Sequence, residues 1–372
     1  MKPPPCIPLP TPLLRLSLRP TYRRAAPTLP APATTLPGRR PLHTPPPLAA
    51  KVVPVYGTGP PPDPPVPPRV AKHRQRAALL ERGRVLRNEA GRPRFWRDVT
   101  VRDAGGAFEV LLDARPLRHP TTKAVVRVPA TKPALAAALA AEWDALPSSA
   151  DASRAHRVPL TGLVCRALDL AADDAGALRA DVVEYVLRYL DTDSLLCWAP
   201  ADPHRPEAED DDTAAGADVP LRTAQRRAAD AVVAHLTTYV WPGLVISPVL
   251  DGATILPRPQ APGVRDVVRG WAAGLTAWEL AGLERAVLAG KSLLNAARLV
   301  AEWSEDGAGA APSPDAGPRF GVEEAARVAS LEVDWQTDRW GQVEDTHDVD
   351  HEDVRRQLGS VVLLVSGTGK TR

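Results

Sequence analysis

The densest group of possible metal ligands in the sequence lies near its C-terminal end, from Glu344 to Asp353. His347 and His351 are four residues apart, so a helix would place both imidazoles on one face, with Glu344 one turn earlier. Such a pair could bind the metal of a hydrolase, but no third ligand stands at a recognisable distance and the general-base glutamate of an HExxH motif is absent. Charge runs of this density are typical of solvated helix faces, so a metal-dependent hydrolase is the alternative interpretation rather than the first.

Two neighbouring carboxylates form a second candidate site. Asp191 and Asp193 could share general acid and base work, but neighbours in sequence seldom face each other across a substrate. We therefore interpret them as a cap or turn after a helix that ends at Leu190, and expect Ser194–Trp198 to be extended.

The sequence SGTGKT at Ser366–Thr371 is similar to the end of a phosphate-binding loop. Leu364 stands where that motif needs its first glycine. Lys291 and Ser292 are predicted to lie within a helix, with no glycine-rich loop before them. The sequence therefore predicts neither a nucleotide site nor a cofactor.

Acidic residues are absent from Met1–Pro62, which carries eight lysines and arginines. When these are set aside, the net charge of +2 for the whole chain becomes −6 for the remainder. A basic N-terminal segment without acidic residues is typical of a mitochondrial transit peptide. The proline-rich stretch into which it leads cannot form a hydrophobic core. We predict that residues 1–93 are a transit peptide and disordered linker, and that the protein is imported into the mitochondrial matrix.

A mildly acidic mature chain does not favour nucleic acid as a partner. The basic segment at residues 69–94 is the exception, and an RNA-associated organelle protein that uses it is a further alternative. No apolar run reaches the roughly 20 residues that a membrane span needs. Cys165 and Cys197 are flanked by apolar residues and form no CxxC motif, which excludes a disulfide framework and a cysteine-based zinc site.

Alternating apolar residues predict a small sheet at the start of the globular part. Residues 96–102 and 107–113 are predicted strands joined by the glycine-containing turn Asp103–Gly106, and residues 124–128 form a third extended piece. A helix is predicted from Pro133, with four apolar residues at helical spacing. These are Leu135, Leu139, Trp143 and Leu146.

Helical periodicity dominates the remainder of the chain. Predicted helices cover residues 181–190, 221–240, 264–275 and 321–339. Thr276 and Glu279 have the spacing of a capping box that opens a long helix running through Leu299. Residues 201–220 and 304–319 are predicted surface insertions, because neither can offset its ordering entropy by burying apolar groups.

The predicted fold class is therefore α+β. A small N-terminal strand-rich unit, residues 94–155, is followed by a larger all-helical domain, residues 156–372.

Several sequence blocks, together covering roughly Arg94–Asp348, carry a resemblance to a known family. After the run from Arg94 to Trp143 come PLTGLVCRALD at Pro159–Asp169, VLRYLDTDSLLCW at Val186–Trp198, TAWELAGLERAVLAGKSLLNAARL at Thr276–Leu299 and LEVDWQTDRWGQVEDTHD at Leu331–Asp348. In this order they resemble the mitochondrial ATP synthase F(1) complex assembly factor 2 family. Its members are chaperones that hold the α subunit before it meets the β subunit.

The resemblance implies a non-enzymatic chaperone that needs neither cofactor nor ATP and shields the interface of the unassembled α subunit until β replaces it. The family carries acidic residues just after its Trp-Gly, and these match Glu344 and Asp348, although an aromatic usually stands where this chain has Asp345. We expect the two carboxylates to rim a client site with an apolar surface made by three tryptophans. These are Trp278, Trp335 and Trp340, which are alternatively core residues of the helical bundle.

Overall fold

A small antiparallel sheet comes first in the computed structural model, which describes residues 93–201, 219–252, 256–305, 308, 319–341 and 347–368. Its strands are β1 (Val99–Asp103), β2 (Ala107–Leu112), β3 (Arg115–Pro116) and β4 (Arg127–Pro129). The predicted hairpin is confirmed, since Val99 lies opposite Leu112 and Val101 opposite Val110. Its turn depends on glycine, because Gly105 has a φ of 73°.

β2 is the centre of the sheet, and β1, β3 and β4 all pair with it in antiparallel fashion. The third predicted piece is present as β4, displaced towards its C-terminal end. The two-residue β3 was not predicted, because two residues cannot show an alternating pattern.

One helix covers the sheet. In α1 (Pro133–Asp144), Leu135, Leu139 and Trp143 are buried as predicted. The Trp143 ring lies 5.5 Å from that of the fully buried Trp96, which precedes β1. The strand-rich part therefore has its own apolar centre between sheet and helix.

Eight further α-helices follow in the described ranges. They are α2 (Pro159–Ala171), α3 (Ala177–Leu187), α4 (Leu221–His235), α5 (Val264–Gly274), α6 (Ala277–Gly290), α7 (Leu293–Trp303), α8 (Val322–Trp340) and α9 (His347–Ser366). A π-helical turn, Leu236–Val240, extends α4 to the predicted end of that helix. The fold is α+β, as the sequence predicted.

The centre of the helical part is α6, which packs against α2, α7 and α9. Leu280, Leu283 and Val287 of α6 are fully buried. Gly282 lets α9 approach closely, because a Cβ added there would lie 2.9 Å from Cγ1 of Val365.

The prediction of one long helix from Thr276 through Leu299 is wrong in one respect, because the segment forms two helices, α6 and α7. The capping box is present, but Lys291 has a φ of 55° and ends α6. Ser292 then caps α7 by accepting a hydrogen bond from the Asn295 N–H at 3.0 Å. Apolar residues keep their helical spacing across the break, so the sequence pattern does not reveal that the helix is interrupted.

Asp193 explains why the chain breaks at this place. Its fully buried carboxylate accepts hydrogen bonds from the N–H groups of Leu293 (2.7 Å) and Leu294 (3.0 Å), at the start of α7. Its other oxygen accepts from the Leu195 N–H at 3.0 Å. The capping role expected of Asp193 is confirmed, but Ser194–Leu196 form a turn of 3₁₀-helix rather than an extended segment.

The sequence did not predict α9. Its first half continues the charged run that suggested a solvated surface, whereas its second half buries Leu358, Val361 and Leu364. Lys132, just before α1, donates from Nζ to the carbonyl oxygens of Leu364 (3.3 Å) and Val365 (3.0 Å). The last helix is thereby tied to the strand-rich part.

All described residues belong to one compact unit, residues 68–372. The domain boundary near residue 155 remains a prediction. Within the described ranges, no helix combines the length and apolarity that crossing a bilayer requires.

Candidate functional site

An aromatic surface is formed at the C-terminal end of α8 by Trp335, Arg339 and Trp340, which we call the tryptophan platform. The two indole rings meet edge to face, with 6.1 Å between centroids and 87° between planes. The guanidinium carbon of Arg339 lies 3.6 Å from the centroid of the Trp335 ring. Trp340 is 74% exposed, which is unusual for so large an apolar side chain.

Hydrogen bonds to one carbonyl fix the platform. The Trp335 indole N–H donates to the Val219 carbonyl oxygen at 3.0 Å, and Arg339 donates to the same oxygen at 3.3 Å. Val219 precedes α4, so the end of α8 is held against the beginning of α4. Gly341, with a φ of 88°, ends α8 directly after Trp340. Trp335 is therefore held in place by its hydrogen bond, whereas Trp340 is exposed at the end of the helix.

The predicted tryptophan cluster is only partly present. Trp278 lies in the first turn of α6, where it is half-buried against the hydrophobic core. Of the three tryptophans, the ring contacts in the described part of the chain join only Trp335 and Trp340. The core alternative therefore fits Trp278, whereas the surface interpretation fits Trp340.

The two predicted carboxylates follow the platform in sequence. Glu344 lies outside the described residues. Asp348 lies in the first turn of α9, and its side chain is also outside what the structure describes. Their role as the rim of a client site remains a prediction.

The histidine pair is not arranged as a metal site in the part of the chain that the structure describes. His351 Nε2 lies 2.9 Å from Asp334 Oδ1 on α8, so this imidazole joins α8 to α9. Burial raises the pKa of Asp334, although His351 opposes the shift. Among the described residues, no three histidine, cysteine, aspartate or glutamate side chains come together as metal ligands. The hydrolase alternative built on His347 and His351 has no support in this geometry.

The other motifs also have structural roles. Lys291 and Ser292 occupy the break between α6 and α7 rather than the middle of a helix, and Lys291 Nζ donates to the Leu288 carbonyl oxygen at 2.6 Å. Cys165 is buried, and burial raises the pKa of its thiol to about 11. Residues 69–92, which carry most of the basic segment of the RNA alternative, lie outside the described residues.

A groove of about 600 Å³ between α4 and α8 was not predicted. Its floor is apolar and includes Val232, Val328 and Leu331. Among the residues that the structure describes, four arginines line it, together with one carboxylate, Glu324. The arginines are Arg227, Arg298, Arg319 and Arg327.

One histidine, His235, also lines the groove. Burial, and next the charge of Arg298, lower the pKa of His235 in the groove wall, which favours its neutral form. No signal in the sequence pointed to this groove, because its two walls come from segments about a hundred positions apart.

Comparisons with known proteins agree with the sequence blocks. Residues 93–237 match the family described as ATP12 chaperone protein. Over 275 residues, 73% of this chain, it is 28% identical to "Protein atp12, mitochondrial" of Schizosaccharomyces pombe, of which 81% is covered. It is also 28% identical over 289 residues to "Protein ATP12, mitochondrial" of Saccharomyces cerevisiae, with 73% of this chain and 82% of that protein covered.

The fold has a solved counterpart. The crystal structure of Atp12 from Paracoccus denitrificans superposes with a TM-score of 0.52 over 74% of this chain and 98% of that one. At 22% sequence identity, the likeness establishes a common fold.

Proposed function

We propose that this chain is a member of the ATP12 chaperone family, which it matches over residues 93–237, and that it assists assembly of the F(1) sector of the mitochondrial ATP synthase. In this proposal it binds the unassembled α subunit and shields the apolar interface of that subunit until the β subunit replaces it. Binding requires neither ATP nor a cofactor, and the protein performs no catalytic turnover. The match of residues 93–237 to the family, extended by the two yeast mitochondrial proteins, carries this proposal.

The tryptophan platform supplies the apolar part of the proposed client site. An unassembled subunit exposes an apolar surface that would otherwise aggregate, and a chaperone needs a complementary surface that is already ordered. Trp340 offers such a surface, since Trp335 and Arg339 beneath it are fixed by the Val219 carbonyl. Tryptophan and arginine are also the residues that most often dominate binding energy at interfaces.

Glu344 and Asp348 supply the charged rim in this proposal. They follow Trp340 within eight positions, so they lie close to the platform along the chain. Charges at the edge of an interface affect which partner binds and how fast it binds. They affect the final affinity of the complex less. Carboxylates beside an exposed indole would therefore select a client with basic groups around its apolar surface.

The test is an aggregation assay without ATP. The α subunit, diluted from denaturant, should stay soluble with the purified protein and be released when the β subunit is added. The Glu344→Lys, Asp348→Lys variant should fold normally but fail to hold the α subunit, because like charges at an interface oppose binding. Trp340→Ala should weaken capture in the same way.

The control variant is Asp174→Lys, Asp181→Lys, which makes the same charge change at two exposed positions away from α8 and α9. It should hold the α subunit as well as the wild type does. If the Glu344→Lys, Asp348→Lys protein folds and still protects the α subunit fully, these two carboxylates are not part of the client site. A wild-type protein that does not hold the α subunit at all would contradict the proposed function itself.

A further inference from the structure

A contact between His351 and Asp334 joins the two helices that carry parts of the proposed client site. Nε2 of His351, on α9, lies 2.9 Å from Oδ1 of Asp334, on α8. Asp334 directly precedes Trp335, the residue of the tryptophan platform that the Val219 carbonyl holds. His351 comes shortly after Asp348 in α9, about one helical turn further on. The contact therefore links the platform to the beginning of α9.

The first two turns of α9 receive little support from the hydrophobic core. Val349 is 58% exposed, and Val354 is only half-buried against the core. Among the described side chains of α9, the first to be fully buried is that of Leu358. Helix ends fray unless contacts hold them. A contact at His351 is placed where it can prevent fraying in the part of α9 that carries Asp348.

The surroundings of Asp334 make this imidazole a suitable partner. Burial raises the pKa of the half-buried Asp334 carboxyl, and the charge of His351 is the largest influence that opposes the shift. Smaller influences come from Asp338 on the same helix, which raises the pKa, and from Arg355 on α9, which lowers it. A carboxylate that has lost part of its hydration needs such a neighbour to remain charged.

We propose that His351 is a positioning residue of the client site. Through Asp334 it holds the beginning of α9, and with it Asp348, beside the tryptophan platform. The apolar and acidic parts of the site are then ordered together before the client arrives, which reduces the entropy lost on binding. This inference rests on the proposed function, because it names a residue that arranges the same site.

A second ion pair between the same two helices provides a matched control. Nε of Arg355, on α9, lies 3.0 Å from Oε2 of Glu323, in the first turn of α8. Measured along the axis of α8, Glu323 is about 26 Å from Trp340, whereas Asp334 is about 9 Å from it. Both pairs are partly exposed, so each should contribute little to the stability of the whole fold. They differ in their distance from the platform.

The experiment uses the purified full chain without ATP. It measures the chaperone concentration that keeps half of the α subunit in solution after dilution from denaturant, and the melting temperature of each variant. His351→Ala removes the contact, whereas His351→Gln keeps a side-chain N–H group that can reach Asp334. Glu323→Gln removes the control pair. His351→Ala is also combined with Asp348→Asn, because a positioning residue has no further effect once the carboxylate that it positions is gone.

We expect His351→Ala to raise the half-protecting concentration by roughly threefold or more. Its melting temperature should stay within about 2 °C of the wild-type value. His351→Gln should recover most of the lost protection, and Glu323→Gln should protect as the wild type does. Asp348→Asn should itself be weakened, and His351→Ala should cause no further loss in that variant.

Several results would overturn the inference. Full protection by His351→Ala would show that the contact does not serve the site, and full protection by Asp348→Asn would remove the group on which His351 acts. Equal losses in His351→Ala and Glu323→Gln would indicate general packing of α8 on α9. The same conclusion would follow if His351→Ala lowered the melting temperature by more than about 6 °C, or if its effect were unchanged in the Asp348→Asn variant.

The wild type separates this inference from the proposed function. If the wild type holds the α subunit and His351→Ala holds it equally well, only the positioning role is lost. If the wild type does not hold the α subunit at any concentration, the proposed function itself is contradicted.

Discussion

At the scale of single residues, Asp193 makes the contacts on which the join between α6 and α7 depends. Its carboxylate is fully buried and satisfies three backbone N–H groups, two of them about a hundred positions away. Burial raises its pKa to about 6, so the group is mostly ionised at neutral pH and accepts all three hydrogen bonds. Asp191, two positions earlier, is instead about half exposed and paired with Arg265.

We expect Asp193→Ala to lower the melting temperature by roughly 6 °C or more, because each buried donor left without a partner costs about 1–3 kcal/mol. Asp191→Ala should lower it by less than about 2 °C, because an exposed ion pair contributes little. Thermal unfolding followed by circular dichroism measures both variants. Similar losses for the two variants would show that Asp193 does not hold the start of α7.

The two thiols in the described part of the chain should differ in reactivity. Alkylation needs the thiolate, and a pKa of about 11 leaves Cys165 with about one thiolate in a thousand at pH 8. Cys197 is half-buried, with a pKa raised by burial. We expect iodoacetamide to label Cys197 well before Cys165 at pH 8, as measured by peptide mass spectrometry. Equal rates in the folded protein would contradict the burial of Cys165, whereas equal rates in guanidinium are the expected control.

At the scale of helices and strands, the break between α6 and α7 depends on a residue in a strained conformation. Lys291 has a φ of 55°, where a side chain costs free energy and glycine does not. Lys291→Gly should therefore stabilise the protein by about 0.5–1 kcal/mol. Arg285→Gly, in the interior of α6, should destabilise it by about 1 kcal/mol. Chemical denaturation measures both, and a Lys291→Gly variant less stable than wild type would show that the lysine side chain has a packing role.

Patterns along a single element were predictable, and contacts between distant elements were not. The β1–β2 hairpin and α8 follow from local alternation and helical spacing. The break at Lys291 was missed because its cause, Asp193, is remote in sequence. The helix α9 was missed because its charged first half conceals an apolar second half.

The same distinction applies to the candidate site. Trp335 and Trp340 share one helical end, so the sequence could associate them. Trp278 was grouped with them from residue type alone, and the structure places it against the core. The groove needs α4 and α8 side by side, which no periodicity within either segment specifies.

At the scale of the whole molecule, α8 joins the tryptophan platform to the core. Its first turns bury Ala325 and Ala326, its middle forms a wall of the groove, and its last turn forms the tryptophan platform. Through His351 and Asp334 it also contacts α9, which packs on α6. A client bound along α8 would therefore rest on an element supported by the centre of the fold, which favours a surface ordered before binding.

The targeting prediction concerns residues 1–62, outside the described part of the chain. This segment has no acidic residue, and Leu13–Leu18 with Arg15 and Arg19 could form a short amphipathic turn that an import receptor recognises. A reporter fused behind residues 1–62 should therefore enter the mitochondrial matrix and be shortened by cleavage. Arg15→Glu with Arg19→Glu should keep the same reporter in the cytosol at full length, because import depends on positive charge. Fractionation and immunoblotting measure both, and a wild-type fusion that stays cytosolic and uncleaved would disprove the targeting role.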